Sequence, residues 1–358
     1  MIDVMKYAFL AIEEGRFMRS SSPSTTVPIP QGGPTAGRGI RRLVATLLII
    51  SALLTTAYSA LSIYIATRLI YAPQKPLYST PAALGMQFKY ITFPSRIDHI
   101  QLQGWFIPGV LPNGSLTSQR TIVFVHGNRT NRADQPSGLL NLSVAFARSG
   151  FAVLAFDMRG TGESPPEPLS LGYFEQRDVL GAVDFLRSGP IPYPNLGRPR
   201  AIVGWGVSMG AATLDLASSQ EPAIRAVVSD CAYADILPIL EREIPKGSNL
   251  PQMFTPGALL ASQALYGMNF YAVRPVDVVA RIAPRPILFI HGDKDTYIPP
   301  SNMYELAAAA RTAPGANVQT WLVPGAAHAQ SFNTIGAAYV ARVIAFYTSV
   351  VGPDTGAA

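Results

Sequence analysis

The residue with the clearest chemical potential is Ser208, set in Gly206-Val207-Ser208-Met209-Gly210 between the apolar run Ala201–Trp205 and the helix-like stretch Met209–Ser219. A sharp strand-to-helix turn of this kind holds a serine in a strained backbone conformation with its hydroxyl exposed, and the flanking glycines remove the clashes that side chains would bring. The pentapeptide alone is a weak signal, and its flanks sharpen it. A helix amino terminus beside the serine also favours developing negative charge. A serine hydroxyl is a poor nucleophile until a base takes its proton, and in a strand-turn-helix arrangement the base follows the nucleophile in the chain. Of the four histidines, His99, His126 and His291 sit in a hairpin or at strand ends, whereas His328 lies in Gly325-Ala326-Ala327-His328, between the last strand and the last helix. His328 is the expected base.

A third residue must orient the imidazole and stabilise its cation. Asp295, in His291-Gly292-Asp293-Lys294-Asp295-Thr296-Tyr297-Ile298-Pro299 after a buried strand, is the expected acid. Asp293, two residues away, and Asp230, at the end of the strand after the nucleophile helix, remain alternatives, with Asp293 better suited to bracing its loop. An acyl-transfer oxyanion needs two convergent N–H donors. Met209 supplies one, and Asn128 in His126-Gly127-Asn128, after strand Thr121–Val125, is the candidate for the other. The turn Asp157-Met158-Arg159-Gly160-Thr161-Gly162-Glu163-Ser164 reads as a structural loop. Cys231, the single cysteine, reads as a small buried residue. Nothing in this chemistry calls for a cofactor or a metal.

The elements that must carry these residues are legible as alternation. Gln87–Phe93 and Ile100–Ile107 alternate as half-buried antiparallel strands; Thr121–Val125, Phe151–Phe156, Ala201–Trp205, Ile224–Val228 and Pro286–Ile290 are short apolar runs of strands covered on both faces. Leu139–Arg148, Phe174–Arg187, Met209–Ser219 and Met303–Arg311 read as helices between them. Val318–Val323 supplies a last strand and Thr334–Thr348 a closing helix. The fold class is α/β, a mostly parallel sheet with helices on both faces. Between residues 232 and 284 the alternation breaks, and a cap-like insertion over the carboxyl ends of the strands is expected, where open α/β sheets bind ligands.

These motifs, H-G-N after a strand, D-x-R-G-x-G-x-S, G-x-S-x-G, H-G-x-x-D-x-x-[VI]-P and a late G-x-x-H, resemble in this order the α/β-hydrolase superfamily. Together with an amino-terminal apolar segment and Arg68-Leu69-Ile70-Tyr71-Ala72-Pro73, the chain is similar to the Bem46-like serine hydrolases over about residues 68–350. The resemblance implies a Ser208, Asp295, His328 triad and hydrolysis through an acyl-enzyme. Asp230-Cys231 stands where many relatives have Ser-Pro or a similar pair, which keeps the alternative acid open.

Ahead of this region lies an uncharged stretch, Leu43 to Thr67, long enough as a helix to cross a hydrocarbon core of about 30 Å. Arg38, Arg41 and Arg42 precede it and only Arg68 and Lys75 closely follow, which favours a cytoplasmic amino terminus and an extracytoplasmic catalytic domain. A signal peptide cleaved near Ala57 to Ala60 is the rival, disfavoured by the long region before it. Residues 1–42 read as a basic tail, with a Ser/Pro/Gly-rich connector at 20–39 and either a short amphipathic helix or disorder at 1–18. The net charge of +6 is half accounted for by this tail, so the rest shows no basic face for nucleic acid. The expected domains are thus the tail 1–42, a spanning helix 43–67 and a hydrolase domain 68–358. The expected function is a membrane-anchored serine hydrolase of small-molecule or lipid carboxylic esters or thioesters. The alternatives are a peptidase or amidase on the same triad and a non-catalytic scaffold of the same fold.

Overall fold

The computed structural model describes residues 35–354; the expectations for a tail helix at 1–18 and for the connector up to residue 34 lie outside the described residues. In chain order the elements are α1 (Thr35–Ile70), β1 (Lys89–Pro94), β2 (Gln101–Ile107), β3 (Gly109–Val110), β4 (Leu116–Thr117), β5 (Arg120–Val125), α2 (Leu139–Arg148), β6 (Ala152–Phe156), α3 (Glu175–Ser188), β7 (Ala201–Val207) and α4 (Met209–Ser218). They continue with β8 (Ile224–Asp230), α5 (Leu237–Ser248), α6 (Thr255–Tyr266), β9 (Ile287–Gly292), α7 (Ser301–Ala310), β10 (Val318–Val323), α8 (Ser331–Ile335) and α9 (Ala337–Val351).

Eight strands form one sheet in the order β1-β2-β6-β5-β7-β8-β9-β10, while β3 and β4 pair separately. The β1–β2 and β2–β6 pairs are antiparallel and every other neighbour in the large sheet is parallel. Side-chain alternation divides the core between two faces: Val123 and Val125 of β5 join the cluster under α3, α4 and α7, whereas Ile122 and Phe124 join the one under α2 and α9. Every residue of β5, β6, β7 and β9 is buried, as strands covered on both faces must be. This arrangement is the α/β-hydrolase fold, and it gathers the carboxyl ends of β5, β7, β9 and β10 along one edge, where Asn128, Ser208, Asp295 and His328 lie.

Three details beyond the sequence reading are informative. The closing helix is broken into α8 and α9 at Gly336, whose φ of 47° lies in the left-handed region. The insertion is helical, built on α5 and α6, each with a proline in its first turn, where the missing N–H costs nothing. The apolar helix runs past both ends of the expected 43–67 stretch, taking in residues 35–39 of the expected connector.

The chain divides into two compact units at Leu54/Thr55. Residues 37–54 form an exposed apolar helical stretch, and the helix as a whole is long and apolar enough to cross a membrane. From Thr55 onward the helix belongs to the larger unit. Ser62, Ile65, Ala66 and Ile70 are buried, and Tyr58 stacks on Phe254 just before α6 at 5.1 Å between ring centroids.

Candidate active site

Ser208 opens α4 with φ 56° and ψ −125°, a left-handed conformation that costs a non-glycine residue on the order of 1–3 kcal/mol. The flanking glycines explain how the turn closes. A Cβ at Gly206 would stand 2.6 Å from the Gly210 carbonyl oxygen, and one at Gly210 would stand 2.2 Å from that of His126. The strand end, the helix start and the β5 loop are thus in direct backbone contact. The Ser208 N–H donates to the Asp230 carbonyl at 2.8 Å, which fixes the nucleophile backbone on the neighbouring strand.

Ser208 Oγ lies 2.8 Å from His328 Nε2, and His328 Nδ1 lies 2.7 Å from Asp295 Oδ2. With Nδ1–H donating to the carboxylate, Nε2 is left to accept the serine proton. Asp295 is buried and accepts from the Tyr297 and Ile298 N–H groups at 3.0 and 2.9 Å through its other oxygen. Burial alone would raise the Asp295 carboxyl, but the hydrogen bonds from His291 and His328 outweigh it and hold it below the usual carboxylate range. The chain of three groups can therefore carry a proton from Oγ to the imidazole while the carboxylate stays charged.

The two alternative acids are engaged elsewhere. Asp293 accepts from the Gly325 N–H at 2.6 Å and braces the loop that carries His328. Asp230 accepts from Ser331 Oγ at 3.1 Å and Tyr339 Oη at 2.8 Å; burial raises its pKa, partly offset by the Tyr339 hydrogen bond. His99 lies in the β1–β2 turn with φ 55°. His291 is fully buried behind Asp295, with Nε2 2.7 Å from the Ile298 carbonyl and 3.3 Å from Asp295 Oδ2.

Asn128 and Met209 line the same cavity as Ser208, and a Cβ at Gly127 would stand 3.5 Å from the Ser208 Cβ. Among the described residues neither the Asn128 nor the Met209 N–H meets a backbone acceptor, so both donors are available to an oxyanion. His126 holds this loop from beneath. Its Nδ1 donates to the Gly127 carbonyl at 2.8 Å and its Nε2 accepts from the Met158 N–H at 3.1 Å. Burial lowers its pKa, consistent with the neutral ring that this pattern requires. The Asp157–Ser164 turn is structural: buried Asp157 accepts from the Arg132 N–H at 2.8 Å and pairs with its guanidinium, which also reaches Glu163.

Cys231 Sγ, an Asp295 oxygen and a His328 ring nitrogen lie within 4.8 Å of one another, a spacing a metal ion could use. Burial, together with the Asp230 and Asp295 carboxylates, pushes the Cys231 thiol well up, and a protonated thiol is a poor ligand. The other two groups already satisfy each other.

Residues 122–343 match the family described as the alpha/beta hydrolase family. The chain belongs to that family. Among curated proteins it is similar to the uncharacterized protein YfhR of Escherichia coli K12, 28% identical over 72% of this chain and 80% of that protein. It is also similar to the alpha/beta hydrolase domain-containing protein WAV2 of Arabidopsis thaliana, 27% identical over 74% and 85%, and to the protein bem46 of Schizosaccharomyces pombe, 24% identical over 63% and 66%. Among solved structures the Pyrococcus furiosus esterase Pf2001 superposes with a TM-score of 0.64 at 23% identity, over 79% of this chain and all of that one, a likeness of fold. The hydrolase is thereby placed by family as well as by architecture.

Several residues at the site carried no sequence signal. Tyr297 stands edge-on to the His328 ring at 5.0 Å, and Arg129 donates to the Arg68 and Leu69 carbonyls at 3.2 and 3.0 Å, capping the end of α1. The cavity above Ser208 has a volume of about 670 Å³, within the range of small-molecule sites. Its walls come from α1 and α5, elements more than 160 residues apart in the sequence, which is why no local pattern announces it.

Proposed function

We propose that the chain is a membrane-anchored serine hydrolase that cleaves carboxylic ester or thioester bonds through an acyl-enzyme. The observation that carries this reading is the unbroken hydrogen-bonded series from Ser208 Oγ through His328 to Asp295, with the serine strained into the cavity floor. Ser208 Oγ attacks the acyl carbonyl as its proton passes to His328 Nε2, and the oxyanion rests between the Asn128 and Met209 N–H groups. The imidazolium then gives its proton to the leaving alkoxide or thiolate, and the acyl C–O or C–S bond breaks. Water, deprotonated by the same imidazole, attacks the acyl-enzyme and releases the acid. Asp295 stays ionised throughout.

Fluorophosphonate labelling tests the reading. The purified wild type is expected to label and Ser208→Ala not to, with esterase turnover falling toward the roughly 10³–10⁴-fold that binding and an oxyanion hole supply unaided. A folded wild type that never labels sinks it. Matched p-nitrophenyl esters and peptide anilides separate esterase from amidase action. The helix α1 and the arginines before it support a single-pass topology in the cell membrane, with a cytoplasmic amino terminus and an extracytoplasmic catalytic domain.

A further inference from the structure

We propose that the cavity at Ser208 receives the acyl chain of a lipid ester directly from the bilayer, with the last turns of α1 as one wall and the cap helix α6 seated in the membrane interface. This rests on the serine hydrolase reading above and names the substrate class of the same site.

The first observation is who builds the cavity. Ile65 and Leu69 of α1 line it together with Ile239 and Leu240 of α5 and with Ser208 and Met209. Residues of a helix whose other end is an exposed apolar span therefore form part of the substrate's surroundings. Arg129, next to Asn128 in the chain, ties the last carbonyls of that helix to the oxyanion loop.

The second is depth. At 1.5 Å per residue, about 20 residues cross a hydrocarbon core of about 30 Å. Counted from Leu43, the first uncharged residue after Arg42, that span ends at Ser62. Tyr64 to Leu69, the stretch that lines the cavity, then falls at the far headgroup level. Exposed Tyr64 suits that level, as interfacial tyrosines do, and Arg68, Arg129 and Lys246 at the cavity rim suit anionic headgroups.

The third is the cap. The stretch from Gly247 to Val273 contains no Asp, Glu, Lys or Arg, and Lys246 and Arg274 bracket it. Within it α6 runs alongside α1: the Tyr58 hydroxyl donates to the Met253 carbonyl at 2.9 Å, a Cβ at Gly257 would strike Ser62 Oγ at 2.3 Å, and Thr67 Oγ1 meets Tyr266 Oη at 3.0 Å. The amino-terminal end of α6 is thus held at the depth of Tyr58 and Ser62, inside the counted span. Its outer face leaves Leu260 and Leu265, and the turn before it leaves Met253, more than half exposed. In water such a face is a liability, whereas in the acyl boundary it is what an interfacial helix presents. A short water-borne ester would need none of these features.

The test uses the full chain in phosphatidylcholine vesicles, with p-nitrophenyl esters from acetate to palmitate and fluorophosphonate labelling in parallel. The wild type is expected to prefer the long esters over acetate by at least about tenfold in kcat/KM. Leu69→Trp and Leu240→Trp, which narrow the cavity from two different helices, are each expected to cut that long-to-short ratio about tenfold. The double variant Leu260→Asp, Leu265→Asp should lower turnover of palmitate ester relative to a soluble butyrate ester. A wild type that labels but shows a flat or short-chain profile overturns the lipid inference and leaves the serine hydrolase standing. So does an unaltered ratio in both tryptophan variants when each still labels. A wild type that does not label overturns both.

Discussion

At the scale of single residues, three aspartates within one site show how surroundings assign roles to identical side chains. Asp295 is held ionised against His328, Asp293 ties down a turn, and Asp230 is locked between two hydroxyls. Asp295→Asn is therefore expected to lower kcat by about 10³–10⁴-fold with folding retained, because the amide favours the wrong imidazole tautomer. Asp230→Asn should change kcat less than about tenfold and lower stability by about 1–3 kcal/mol as its hydroxyl partners lose the carboxylate. Parallel kinetics and thermal melts check the contrast, and a reversed order would reassign the acid. Asp215, on α4, offers a pH readout. Its carboxyl is pushed up to about 8 by burial, partly offset by the hydrogen bond from Ser229. Between the unfolded value near 4 and the folded value near 8, the folded chain holds a proton that the unfolded chain has lost. The stability it contributes is full below about pH 4 and is lost as pH rises through about 8. Asp215→Asn should accordingly flatten the decline of the melting temperature between about pH 4 and pH 8; an unchanged slope would count against this assignment.

At the scale of elements, the elbow is a junction of three backbones with no room for a side chain. Gly210→Ala would drive a methyl into the His126 and Val125 carbonyls, and because these are backbone atoms the loop cannot rotate away. We expect a loss of about 3 kcal/mol or more, or a protein that does not fold, read by denaturant titration. The strands that carry this junction were legible from their apolar runs, and β10 and α2 matched residue for residue. Others stopped short: β7 and β8 each run two residues further, through Val207 and Asp230, because pairing in the sheet extends strands past the end of the apolar signal. The break at Gly336 was not legible, since the residues on either side of it continue a helical pattern and only the left-handed φ interrupts it.

At the scale of the whole molecule, the sequence shows a chemistry and an apolar helix, and the structure shows that the helix is built into the hydrolase unit from Thr55 onward. The positions of Ser208, His328 and Asp295 could be read because order along the chain and flanking strands specify them. The pocket above them could not, because its lining depends on how α1, α5 and the loop at Asn128 meet in space. A reporter fused after residue 358 checks the proposed topology: activity outside the cytoplasm is expected, and activity only inside it would reverse the orientation drawn from Arg38, Arg41 and Arg42.

The burial of Ile65, Ala66 and Ile70 also decides where the amino-terminal apolar helix can be trimmed. Removing everything through Thr67, where the uncharged stretch ends, would strip Ile65 and Ala66 from the core, take away Ser62 beside Gly257, and leave Tyr58's place on Phe254 empty. A cut just before Thr55 keeps these contacts, and among the described residues it removes the exposed apolar turns ahead of them.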